Sequence, residues 1–176
     1  SLRTGPPPEP DPDAWPSLAR SFDFYAAKKA VTPEKALAII SRAAQPIVGG
    51  KSLIFFGWGL QIIGGAYGAN PRDILDYHEA LPELAQARIN IFTLDVTDAD
   101  YHSLENTLQN ISDLTGGLYI KTHQFANLAM DRVRRAISGR YVLVFVKPNE
   151  PRGVHRIEVD LAGRKGQVTA RQYYSD

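Results

Sequence analysis

The sequence predicts an α/β fold, a parallel β-sheet flanked by helices that carries an antiparallel β-meander at its carboxyl end. Two observations predict it. Between Thr32 and Ile137, helical patterns alternate with short, almost wholly apolar segments, and such alternation requires crossovers that bury a parallel sheet on both faces. After Gly139, strand-like segments are joined by turns too short for crossovers, so those strands pair antiparallel.

Each element has its own local reason. From Pro6 to Pro16 six prolines alternate with Glu9, Asp11 and Asp13, a composition that favours extended chain and cannot fill a core. Residues 1–31 therefore read as a linker or loop end followed by an irregular segment. Thr32-Pro33-Glu34-Lys35 sets a Thr cap before Pro at the first helical position. Leu37, Ile39, Ile40 and Ala43 form the apolar face of that helix, which should stop near Gln45-Pro46. Ser52 to Trp58 then reads as a strand buried on both faces. Pro71 to Arg88 is the second helix of the pattern, leading into a buried strand from Ile89 to Val96. Leu104, Leu108, Ile111 and Leu114 mark a third helix ended by Gly116-Gly117, and Leu118 to Lys121 is a brief third strand. A fourth helix covers about Phe125 to Ile137, with Leu128, Val133 and Ile137 inward. Residues 139–176 form the antiparallel extension, with strands at Tyr141 to Val146, His155 to Leu161 and Gln167 to Tyr174. The first of these is apolar on both sides and is expected inside the core.

Composition narrows the function. Twenty Lys and Arg against nineteen Asp and Glu give a net charge of +1, which is no electrostatic footprint for nucleic acid or an anionic membrane. No apolar run is long enough for a membrane span, and the absence of cysteine excludes disulfides, thiol nucleophiles and Cys-ligated zinc. The four histidines, His78, His102, His123 and His155, lie far apart without a His-x-x-x-His or Glu-x-x-His pair, against a zinc enzyme. Gly57-Trp-Gly59 with Gly64-Gly65 misses dinucleotide spacing, because the third glycine would have to stand at Ile62. Arg132, Arg134 and Arg135 read as the solvated face of the fourth helix.

Three segments carry a resemblance. Gly50-Lys51-Ser-Leu-Ile-Phe-Phe-Gly57-Trp58-Gly59 resembles the fourth strand of a von Willebrand factor A domain, where a Gly-Arg-Lys turn leads into an apolar strand ending in Ser/Thr-Asp-Gly. Ile89 to Asp95 resembles its fifth strand, and Leu108 to Tyr119, with Leu114-Thr-Gly-Gly117, its helix-to-strand signature. Through Ile137 to Pro148, His155 to Val159 and Ala170 to Tyr174, the order is most similar to the bacterial proteins related to that family. The resemblance implies a three-layer Rossmann-like fold, of which residues 32–138 are the C-terminal half. It implies a protein-interaction or adhesion module outside the cytoplasm. Because the family's sheet has three further strands ahead of the helix at Thr32, it also implies completion by a separate chain or by self-association.

The departures from that pattern bear on metal. The family holds a divalent cation with an Asp-x-Ser-x-Ser loop, a later Thr and the Asp of Ser/Thr-Asp-Gly. This chain contains no Asp-x-Ser-x-Ser, and Trp58 stands at the aligned Asp, where an indole offers no oxygen. The resemblance thus implies a degenerate metal-ion-dependent adhesion site with no cofactor, a cation being held only if the missing half supplies ligands.

Candidate binding residues lie in loops at carboxyl ends of parallel strands, where open α/β sheets bind their ligands. Trp58, Gln61 and Tyr67 follow the first strand and are suited to recognising a protein partner, the alternative for Trp58 being burial under its loop. Asp98 and Asp100 follow the second strand. With Asp95 and His102 they have the spacing to hold a cation or to act as an acid and a base in a hydrolase. The same stretch also reads as a loop and N-cap leading into the helix at Ser103. The expected function is non-catalytic protein binding or adhesion. The alternatives are a structural subunit completing another chain's fold, and a hydrolase built on the loop from Asp95 to His102.

Overall fold

A computed structural model describes residues 17–60, 71–98, 102, 104–122, 125–146, 148–163, 165–166 and 168–175. Eleven elements follow in order among them: α1 (Leu18–Ser21), α2 (Phe24–Lys28), α3 (Pro33–Ala44), β1 (Lys51–Gly57), α4 (Pro71–Gln86), β2 (Ile89–Asp95), α5 (Glu105–Thr115), β3 (Leu118–Lys121), α6 (Ala126–Ser138), β4 (Val154–Arg156) and β5 (Tyr173–Ser175). The fold is α/β, with a three-stranded parallel sheet in the order β1-β2-β3 and a separate antiparallel pair, β4 with β5. No helix among the described residues is long and apolar enough to cross a membrane.

Local chemistry accounts for the helix boundaries. Thr32 Oγ1 accepts from the Lys35 amide at 3.1 Å with Pro33 opening α3, which satisfies a donor the helix cannot. The same hydroxyl donates to Asp76 on α4, so the cap also ties two helices. Lys35 and Arg42 reach Glu79 and Glu83 across that helix pair, contacts too exposed to contribute much. Residues 17–31 are not wholly irregular, since α1 and α2 lie there and Asp23 caps α2 through Ala26.

Side-chain alternation divides the core between two faces. On one face Ile89 and Ile91 pack with Leu37 and Ala38 of α3, Tyr77, Ala80 and Leu84 of α4, and Leu108 and Ile111 of α5. On the other, Phe92, Leu94 and Ile120 pack against Ala129 and Val133 of α6. Burying Tyr77 without a hydrogen-bond partner pushes its hydroxyl up to about 12, with the Glu34 carboxylate adding to the rise.

Three sequence expectations are corrected here. β1 is not buried on both faces. Among the described residues it is an edge strand bonded to β2, with Ser52 and Phe56 exposed, because α6 covers the sheet over β2 and β3 and meets β1 at Ile54. On α6 the inward residues are Ala129 and Val133, while Leu128 and Ile137 are exposed. The small Ala129 seats the helix against the sheet, leaving the larger side chains at its flanks. Finally, Tyr141 to Val146 is neither a strand nor core, its six side chains being between 58% and 95% exposed. An apolar segment is buried only where surfaces exist to cover it. The meander is reduced to β4 and β5, with one further bond from the Ile157 amide to the Gln172 carbonyl at 2.7 Å.

The turn between α5 and β3 is stitched to β2. Gly116 takes the left-handed conformation at φ +74° and ends α5, as glycine does most readily. The Thr115 hydroxyl accepts from the Ile91 amide, and Asn90 donates its side-chain amide to the Gly116 carbonyl. The tail docks at the same end, where the Arg171 guanidinium donates to the carbonyls of Ala85 and Ile89 at 2.8 and 3.1 Å.

Candidate functional site

The three parallel strands end in register, Gly57 beside Asp95 and Asp95 beside Lys121, so the loops that follow share one rim of the sheet. The first loop is anchored from below. Leu60 is buried, and its amide and carbonyl both bond the Thr107 hydroxyl on α5, at 3.1 and 2.8 Å. Leu104 fills the space beside Gly59, where a Cβ would come within 2.2 Å of it. With Leu60 and Leu104 occupying the floor, Trp58 is displaced outward and stands 73% exposed. The reading of Trp58 as packed under its loop is thus overturned.

Asp95 ends β2 with its side chain wholly enclosed. Its Oδ1 accepts from the amide and hydroxyl of Thr97 at 2.9 and 2.7 Å, and its Oδ2 accepts from His102 Nε2 and the Tyr119 hydroxyl at 2.8 and 2.9 Å. Burial pushes this carboxyl up, but the bonds from Thr97, His102 and Tyr119 together outweigh it and hold the group below the usual carboxylate range. Tyr119 is driven well above its ordinary value by burial and by its bonds to Asp95 and Glu105. The Asp95 carbonyl in turn accepts from the amide and hydroxyl of Thr122, so one residue joins the loops after β2 and β3.

Asp95, His102 and Glu105 place one ligand atom each within 4.8 Å of one another. A carboxylate offers about four acceptor positions, and the four donors around Asp95 take them all. Glu105 is engaged by Lys121 at 3.3 Å. Chelation is therefore expected to leave the melting temperature unchanged within about 1 °C, since a bound ion would stabilise the folded state by mass action. A thermal scan with and without EDTA checks this, and a fall of several degrees would contradict it.

The candidates from the sequence are placed unevenly. Trp58 and Asp98 are exposed at the rim, while Gln61, Tyr67 and Asp100 lie outside the described residues. His102 does not lead a cap into the next helix. That helix starts at Glu105 with Leu104 at its N-cap and no side-chain cap bond, and the His102 ring bonds the buried Asp95 carboxylate. The rim also holds Val96 (53% exposed) and Phe125 (66% exposed), which the sequence does not mark as exposed. In the sequence Val96 reads as the last residue of a buried strand and Phe125 as the start of a helix, so neither carried a signal of exposure. The Val96 amide bonds the Gly57 carbonyl at 3.2 Å, which sets it next to the Trp58 loop. No protein-family model, curated protein or solved structure matches the chain.

Proposed function

We propose that the chain is a non-catalytic protein-interaction or adhesion module of the von Willebrand factor A type, with a degenerate metal site, acting outside the cytoplasm. The class and the location rest on the sequence resemblance. The observation that carries binding is the row of exposed apolar side chains, Trp58, Val96 and Phe125, following three adjacent parallel strands. Large exposed aromatics are the residues that anchor protein interfaces, and the carboxyl rim is where such sheets take their ligands. In the hydrolase reading Asp95, enclosed and bonded by Thr97, His102 and Tyr119, could only orient His102 and not itself meet a substrate. The structural-subunit reading draws support from the open edge of β1.

A phage-displayed peptide library panned on the full chain tests the binding reading. Enriched peptides should bind the wild type, and Trp58→Ala should weaken them by at least about thirtyfold, the loss of a hot-spot aromatic, with the circular dichroism unchanged. Equal binding to Trp58→Ala, or cleavage of the enriched peptides, would refute it.

A further inference from the structure

Cationic side chains gather at the end of the sheet opposite the Trp58 rim. β1 and β2 start side by side, with Lys51 paired to Ile89, and the Lys51 amide donates to the Arg88 carbonyl at 2.9 Å. The Lys51 ammonium donates to the carbonyls of Ile47 and Gly49 at 2.6 and 2.9 Å. At the same turn the Arg171 guanidinium is fixed to the carbonyls of Ala85 and Ile89. Lys51, Arg88 and Arg171 are thus rooted in one short stretch of backbone, residues 47–51 beside 85–89. These contacts are made at the turn from α4 to β2 and in the loop ahead of β1, so a strand lying beside β1 would leave them in place.

Holding these cations together is unfavourable for the chain. Burial lowers the pKa of both Lys51 and Arg171, and the charge of Arg88 lowers each further, so Arg88 repels both. The carbonyls around them carry only partial charge. The C terminus of α4 offers the equivalent of about half a negative charge, against three positive ones. Glu83, in the last turn of α4, is engaged by Arg42 and Gln45. Arg88 itself is exposed and takes the left-handed conformation at φ +54°, which glycine adopts most readily at the end of a helix. An arginine at this position strains the backbone and opposes its neighbours. A bound anion turns that opposition into attraction.

We propose that Lys51, Arg88 and Arg171 form a binding site for a tetrahedral oxydianion, a phosphate or sulfate group, at the amino ends of β1 and β2. The site does not depend on the Trp58 rim. Three cations balance a dianion better than they balance a single carboxylate. Arg88 and Arg171 supply planar forks that bond two oxygens at once, and Lys51 supplies a compact charge. Lys51 and Arg171 are half-buried and already held by their carbonyls, so little side-chain freedom is lost on binding. Their partial burial also strengthens the attraction over its value in water. Arg140, which donates to the Ser52 hydroxyl at 2.6 Å, adds a fourth positive charge beside the start of β1.

A phosphorus NMR titration of the full chain with inorganic phosphate, at neutral pH and with chloride holding the ionic strength constant, tests this. Binding to the wild type should saturate. Arg88→Gly relieves the positive φ, so it should melt no lower than the wild type in chloride, yet bind phosphate at least about tenfold more weakly. Arg132→Gln removes a charge from an exposed position on α6 and should bind as the wild type does. Glycerol 2-phosphate as a competitor distinguishes the sources of the group. Displacement at equal or lower concentration supports the site as one for phosphate esters, and displacement only at higher concentration supports it as one for the free ion. No saturation by the wild type, equal binding to Arg88→Gly, an Arg88→Gly protein that melts several degrees lower, or an equal loss in Arg132→Gln would each overturn the proposal.

Discussion

Gly117→Ala is expected to cost about 4 kcal/mol or more, enough to leave little folded protein. An added Cβ would lie 1.7 Å from the Ile91 carbonyl oxygen and 2.5 Å from its carbon. That neighbour is the backbone of the central strand, which cannot rotate aside as a side chain can. Relief requires β3 to move away from β2 at the point where Leu118 pairs with Phe92. It would also loosen the bond from the Gly117 amide to the Ser112 carbonyl. Overpacking alone costs about 1–3 kcal/mol, and each ladder or turn bond lost adds about 1 kcal/mol. Against a total stability of about 5–15 kcal/mol, the sum is decisive. Urea unfolding followed by circular dichroism measures it, and a loss below about 1 kcal/mol would show that the approach of β3 to β2 is not tight.

Asp95→Ala should cost about 3–5 kcal/mol at neutral pH, the range for breaking a buried charged network by removing one partner. The substitution strands the Thr97 amide and hydroxyl, the His102 ring and the Tyr119 hydroxyl. Asp95→Asn keeps the shape but turns one acceptor into a donor facing His102 and Tyr119, and should cost about 1–3 kcal/mol. The pH dependence has a definite sign. The folded carboxyl titrates below its unfolded value, which is near 3.9 for Asp, so its contribution is fully present above that value and is lost as pH falls through the folded pKa. Urea midpoints at pH 7, 5 and 3 should therefore fall more steeply for wild type than for Asp95→Asn. Equal acid slopes would mean that the network does not hold Asp95 in its charged form.

What the sequence alone could supply was whatever depends on near neighbours. The cap at Thr32 and Pro33, the apolar runs of β1, β2 and β3, and the Gly116-Gly117 stop after α5 are set by propensity, capping and backbone conformation within a few residues. All of them stand where the sequence put them. On α6 Leu128 stands five residues before Val133, about 140° round the helix, whereas Ala129 stands four before it and shares its buried face, so hydrophobicity without strict spacing picked the wrong side chain.

The rest was decided by contacts distant in sequence. Asp95 meets His102 seven residues on and Tyr119 twenty-four residues on, a pairing that exists only once β2 and β3 lie side by side. Trp58 is exposed because Thr107, forty-seven residues from Leu60, pins the loop beneath it. The apolar run at 141–146 shows the limit most plainly. Its composition determines that it is strand-forming and costly to leave in water, but burial belongs to a pair of surfaces. Among the described residues the tertiary structure leaves β1 at the edge of the sheet and this segment outside it.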